Sequence, residues 1–187
     1  PGTWVKDNPY EGEGAVEAPI IAGIAHDRSE AKITIVGVPD RVGIAAKIFG
    51  AIAEAGINID MIVQNVSAAE TAKTDISFTL PQADGARGMQ VLQSIKHEVE
   101  YQDLRLDDKI GKIALVGAGM KSHPGVSAKF FGALAEAGIN IEMISTSEIR
   151  VSAVTRAEQL DDAVRAVHTA FGLDSADEAI VYGGTGR

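Results

Sequence analysis

The chain contains no cysteine, which excludes disulfide staples and thiolate metal sites and suits a cytoplasmic protein. Aromatic residues make up only 5% of it, so a core must be built from Ile, Val, Leu and Ala. Basic residues are outnumbered, 17 Lys and Arg against 26 Asp and Glu, for a formal charge of -9. That balance argues against a general nucleic-acid or anionic-membrane binder, since neither phosphates nor acidic lipids would be attracted. No apolar run approaches the roughly 18 residues that a membrane helix requires. The opening, Pro1-Gly2-Thr3-Trp4-Val5, is neither a signal peptide nor an initiating Met, and reads as a fragment or a processed chain. What is present is 187 residues with a 45% apolar share, enough for one or two small globular domains.

The dominant feature is an internal repeat. Residues 43–62 read GIAAKIFGAIAEAGINIDMI and residues 125–144 read GVSAKFFGALAEAGINIEMI, with 15 of 20 positions identical at an offset of 82. A period of that length is a small domain rather than a solenoid unit. Each copy shows the same succession of patterns. In the first, Lys32–Val38 is β-rich and Pro39-Asp40 breaks it. Ala45, Ile48, Phe49, Ile52 and Ala53 recur at helical spacing, and Gly56 ends that helix. Ile57–Val66 predicts a second strand and Thr74–Leu80 a half-buried third. Met89, Leu92, Ile95 and Val99 mark a second helix, and Tyr101–Leu106 a closing strand. In the second copy the strands are expected at 112–116, 139–145, 149–154 and 179–182. One helix opens at Pro124 and buries Phe130, Phe131 and Leu134. Another carries Leu160, Val164, Val167 and Phe171, preceded by a Thr155/Glu158 capping-box spacing. Two βαββαβ units follow, each a ferredoxin-like α+β layer with both helices on one face of an antiparallel sheet. The domains are drawn as a tail or linker at 1–19, a first unit at 20–108 and a second at 109–187. A strand at 20–30 is surplus to the repeat and open to either unit. The second sheet face, also apolar, needs cover from another domain.

The turn between the first strand and first helix of a unit is the candidate site. At Asp40-Arg41-Val42-Gly43-Ile44-Ala45 a glycine stands at the helix start, where free N–H groups and the helix dipole attract anions. Gly43 and Ala45 leave room for a carboxylate to approach the backbone, and Asp40 is placed to receive an ammonium, which suits an α-amino acid. On local sequence alone, a capped helix start with Asp40 as a plain turn residue is the commoner reading. Asn58 and Asn140, at matching places in AGINI, are turn residues or, alternatively, ligand contacts across an interface. Gln64 adds a weaker signal.

Several other signals are discounted. Gly117-Ala118-Gly119 lacks the third glycine of a dinucleotide fingerprint, which is absent at Ser122. His26, His97, His123 and His168 lack metal-ligand spacing and read as surface or structural residues. No nucleophile elbow accompanies the serines. Asp107-Asp108 and Asp161-Asp162 read as solvated turn and helix-start charges, and Met61, Met89, Met120 and Met143 as core or interface fillers.

The chain resembles the tandem ACT-domain regulatory part of aspartokinases, in particular the separately made regulatory subunit of actinobacteria. The matching stretches are DRSEAKITIVGVPD, AEAGINIDMIVQNVS, TDISFTL, IGKIALVGAGMKSHPGVSAKFFGALAEAGINIEMISTSEIR and AIVYGGTGR. The resemblance implies feedback control of the first step of lysine, threonine and methionine biosynthesis. It implies a homodimer through side-by-side ACT domains, a catalytic aspartokinase subunit or domain as partner, and neither nucleic acid nor membrane. It implies no cofactor on this chain, only an effector amino acid: threonine, with lysine as a second candidate. The family's threonine pocket matches Asp40, Gly43, Ile44, Ala45 and Gln64, closed by Asn140 and Ile141 of the second unit from a partner chain. A pseudo-equivalent pocket would use Ser122, Gly125, Val126, Ser127 and Thr146, with Asn58 and Ile59 opposite. Ser67 lies in QNVS, a stretch the family associates with feedback control. Val42 stands where the family often has Pro, and Ser127 where Thr is frequent. No Lys-Phe-Gly-Gly nucleotide motif and no G-x-x-x-x-G-K-[ST] loop occurs, so catalysis is not expected on this chain alone. The alternative reading is a structural dimerisation module that holds a kinase assembly together and binds no effector.

Overall fold

The computed structural model describes residues 20–67, 70–118, 120, 123–173 and 181–183. Its first sheet comprises β2 (Glu30–Pro39), β3 (Ile62–Gln64), β4 (Lys73–Pro81) and β5 (Asp103–Asp107), in the order β3-β4-β2-β5. All of its pairings are antiparallel. Helix α1 (Ile44–Glu54) and the pair α2 (Gly85–Ser94) and α3 (Lys96–Val99) pack with it around Ile33, Ile35, Ile48, Ile52, Phe78 and Leu92. The second sheet holds β1 (Ile20–Asp27), β6 (Ile110–Ala118), β7 (Met143–Thr146), β8 (Arg150–Arg156) and β9 (Val181–Gly183). Helices α4 (Val126–Glu136) and α5 (Leu160–Ala170) pack with it around Ile113, Leu115, Phe130, Leu134, Leu160 and Val167. This is the ferredoxin-like pattern expected for both units.

The surplus strand belongs to the second sheet, and not at its edge. In the order β7-β8-β6-β1-β9, β1 pairs antiparallel with β6 and parallel with β9. It therefore fills the place beside β6 that β5 fills beside β2 in the first sheet. The chain starts in one sheet, builds the other, and returns.

The repeat reproduces its helix ends in detail. After α1, Gly56 N–H donates to the Ala53 carbonyl and Ile57 N–H to that of Ile52. After α4, Gly138 N–H donates to Ala135 and Ile139 N–H to Leu134. This paired closure is the Schellman motif, and it needs the left-handed φ of 68° and 70° that glycine supplies. Each AGINI segment thus leaves its helix at a fixed angle.

Several local expectations differ in the structure. The α1 face turned to the core is Ile44, Ile48 and Ile52, while Ala45 and Ala53 are exposed. The second helix of the first unit breaks at Ile95, whose φ of -96° and ψ of 9° leave helical geometry. The 57–66 and 139–145 runs pair as strands only at Ile62–Gln64 and Met143–Thr146. Pro124 lies in the turn before α4, not at its first position. The capping box does not form: Thr155 is buried within β8, a single 3-10 turn at Ala157–Gln159 intervenes, and no side chain caps α5. The 179–182 strand is described only from Val181, residues 179 and 180 lying outside the described residues.

Cover for the second sheet faces comes from within the chain. Met61, Ile110, Met143 and Val154 form one buried cluster with Val63 against it, drawing on both units. Beside it runs a seam of charge. Lys112 Nζ lies 2.5 Å from Glu30 and 2.5 Å from Asp60, and Lys32 pairs with Glu142. Arg156 lies 2.6 Å from Asp107 and 3.1 Å from Glu142. Burial would lower the Lys112 ammonium, but its hydrogen bonds to Asp60 and Glu30 outweigh that and hold its pKa above the ordinary lysine value. Burial would likewise raise Asp107, yet the Lys109 N–H and Arg156 bring its carboxyl below the usual range. Asp107 is therefore a seam residue and not the solvated turn charge that composition suggests.

Candidate functional site

Each unit presents the same turn. Strand β2 ends at Pro39, and α1 begins after Gly43, whose φ of 91° and ψ of -10° lie in the left-handed region. Strand β6 ends at Ala118, and α4 begins after Gly125, with φ 100° and ψ -17°. Only glycine takes this conformation without steric cost. Neither helix has a side-chain cap or an acidic residue in its first turn. Among the described residues, no side chain therefore caps these helix starts, the condition under which a helix start accepts a carboxylate.

In the first unit the structure brings Ser67 to Asp40. Ser67 Oγ donates to Asp40 Oδ2 at 2.5 Å, while the Asp40 N–H donates to the Ala72 carbonyl at 3.0 Å. The carboxylate is exposed and oriented from both sides of the turn. Gln64 lies exposed on β3, opposite Ile76 of β4. Gly43 and Ala45 are exposed, and Ile44 is buried in the first core. Asn140 and Ile141 belong to the second unit, with Ile141 packed on that unit's core. The first set of candidates is thus drawn from two cores.

In the second unit Gly125, Ser127 and Thr146 line one cleft of about 510 Å³, the size of a small-ligand site. Met120, His123, Pro124, Ser147, Glu148 and Val151 complete the wall. None of these six was among the expected site residues, and His123, expected as a surface or structural histidine, lies in the cleft wall. The signal available was its position immediately before Pro124-Gly125. Val126 turns inward to the core, and Ser122 lies outside the described residues. Asn58 and Ile59 stay with the first unit, Asn58 exposed and Ile59 packed on the first core. Among the described residues no group of three or more metal-ligand side chains converges, and no helix is long and apolar enough to cross a membrane.

A duplicated βαββαβ unit with uncapped, glycine-opened turns defines a tandem ferredoxin-like α+β protein. The ACT domain model matches residues 33–94 and 113–171, one match per unit, and the chain belongs to that family as the regulatory part of an aspartokinase. It is 54% identical to the aspartokinase of Mycolicibacterium smegmatis over 187 residues, all of this chain and 44% of that one. It is 52% identical to that of Corynebacterium glutamicum over 172 residues, 92% of this chain and 41% of that one. The chain thus spans less than half the length of these curated relatives. The ligand-free regulatory subunit of aspartate kinase from Thermus thermophilus superimposes with a TM-score of 0.77 at 41% identity. That match covers 81% of this chain and 99% of that one. The phosphate-transfer domain of the longer relatives is not part of what these two units match.

Proposed function

We propose that this chain senses threonine, with lysine as a second effector, and transmits its occupancy to an aspartokinase catalytic subunit or domain in the cytoplasm as feedback inhibition. The observation that carries the reading is the repeated uncapped helix start, flanked in the first unit by an oriented, exposed carboxylate. A ligand α-carboxylate would sit on the first-turn amides of α1 and its ammonium on Asp40. The side-chain hydroxyl of threonine would reach Gln64, and Asn140 and Ile141 of a second copy would close the site. The 510 Å³ cleft at Gly125, Ser127 and Thr146 is the pseudo-equivalent place, with Asn58 and Ile59 of the second copy opposite. Two copies would pair along the edge strands β3 and β7, where Ile62 and Ile144 are 52% and 45% exposed, with Val66 just past β3 and Val42 in the turn before α1 almost fully so. Those exposed apolar side chains equally favour a dimerisation module without effector.

Regulation requires only that the effector bind one arrangement of the paired chains better than another. A coupling of about 1–3 kcal/mol is typical. A thermal-shift screen of the purified chain against the common amino acids separates the readings. Selective, saturable stabilisation by threonine supports sensing. A stable dimer that no amino acid stabilises supports the structural module and sinks the sensing proposal.

A further inference from the structure

We infer that the crossed ion pairs that join the sheets couple, through each chain, the two copies of an effector site that a pair of chains would form. The ligand arm of the test rests on the sensing reading above, and the exchange arm does not. The pairs follow the repeat. Lys32 and Lys112 hold the same place in KITIVGV and KIALVGA, and Asp60 and Glu142 the same place in AGINID and AGINIE. Lys32 of the first unit holds Glu142 of the second, and Lys112 of the second holds Asp60 of the first. Each bond therefore crosses from one unit to the other.

The environment makes these contacts rigid. The side chains of Lys112, Lys32 and Glu142 are 9%, 17% and 17% exposed, so salt and water screen the Lys32–Glu142 pair far less than a surface pair, while Asp60, at 37%, leaves its pair open on one side. Arg156 braces Glu142 from within its own sheet. Met61 and Met143, the residues next to Asp60 and Glu142, are buried in the cluster between the sheets.

The covalent neighbours connect the seam to the sites. Asp60 directly follows Asn58-Ile59, and Glu142 directly follows Asn140-Ile141. Each of these segments leaves its helix through a closed Schellman turn, so it moves as a unit. Lys32 lies on β2, the strand that runs into the Asp40 turn. Lys112 lies on β6, the strand that runs toward Gly125. A ligand in the second copy's Asp40 turn that pulls on Asn140-Ile141 of this chain thus pulls, through Glu142 and Lys32, on the strand feeding this chain's own Asp40 turn. Asn58-Ile59 does the same through Asp60 and Lys112. Such a chain of packed, paired groups is the physical kind of connection that couples distant sites.

The exchange arm uses the ligand-free chain. Lys32→Met is expected to raise amide exchange at Glu142, whose N–H donates to Val154, about tenfold or more, and to leave Asp60 near its wild-type rate. Lys112→Met is expected to do the reverse, loosening the Asp60 amide that donates to Thr79. Glu142→Gln, a gentler change, is expected to loosen β2 in the first sheet. Loosening confined to the mutated residue's own sheet, or spread evenly over both, overturns the inference. In the ligand arm, the ratio between the two stepwise threonine affinities is expected to shift about fivefold or more in Lys32→Met. Threonine binding with an unchanged ratio overturns the coupling and leaves sensing intact. No threonine binding by the wild-type chain overturns sensing, and the exchange result alone then decides the seam.

Discussion

The same substitution should act with opposite sign at two glycines seven residues apart. Gly50 lies inside α1 at helical dihedrals, and a methyl group added there meets no atom within 4 Å. Ala in place of Gly in a helix interior then gains about 0.8–1.0 kcal/mol, with no packing cost. Gly43 also has nothing within 4 Å of an added methyl group, but its φ is +91°. Alanine in that left-handed region costs about 1–2 kcal/mol. Gly50→Ala and Gly43→Ala should therefore differ by about 2–3 kcal/mol although neither touches a neighbour. The repeat supplies an internal control in Gly132 within α4 and Gly125 at its start, with φ +100°. Urea unfolding of the four variants measures this, and Gly50→Ala should raise Tm by about 2–4 °C. Equal effects at Gly50 and Gly43, or the same ordering reversed in the second unit, would refute the backbone argument and with it the reason why glycine opens these helices.

Phe78 is fully buried and meets Phe49 edge-on, with ring centroids 5.6 Å apart, so Phe78→Ala should cost about 3–5 kcal/mol in urea unfolding. A loss below about 1 kcal/mol would contradict the core assignment. Ser67→Tyr should weaken threonine binding at least tenfold by displacing the Asp40 carboxylate, with Tm changed little, and Ser67→Ala should weaken it less; calorimetry with melting curves distinguishes loss of site from loss of fold. The seam should also set the pH limits of stability. Lys112, raised in the folded chain, contributes stability that is complete below the unfolded lysine value of about 10.4 and is lost as pH rises through the higher folded value. Asp107, lowered, contributes stability present above about 3.9 and lost as pH falls through its folded value. Tyr101, raised by burial, adds to the alkaline loss, so urea midpoints between about pH 8 and 11 are best compared in Tyr101→Phe. In that background Lys112→Met should flatten the alkaline limb; an unchanged limb would refute the assignment.

The repeat made the fold legible because a 15-of-20 match at constant offset copies helix, closing turn and exit together. Strand extents were less legible. Ile57–Met61 alternates inward and outward as a strand does, yet only sparse bonds reach β4: Asp60 N–H to the Thr79 carbonyl, Thr79 N–H to that of Met61, and Met61 N–H to the Thr79 hydroxyl. Periodicity reports which side chain faces a core and is blind to whether the backbone has a ladder partner. The place of β1 was illegible for a related reason, since an apolar strand suits either sheet and only tertiary pairing chooses. Charge was the poorest guide. Asp107 and Asp108 are adjacent and chemically alike, but only Asp107 faces Arg156. The Ser67–Asp40 bond spans 27 positions, and no local pattern announces it. The His123 and Glu148 wall of the second cleft comes from two separate loops that the fold brings together.

Calorimetric titration of threonine into the purified chain and into Asp40→Ala tests the central claim most directly. Saturable binding to the wild-type chain is expected, with stabilisation of about 2.7 kcal/mol at one hundred times Kd. Asp40→Ala is expected to lose most of that affinity with the fold retained. Equal affinity in the two proteins would contradict the placement of the site, and absence of binding by threonine and lysine alike would contradict the sensing role itself.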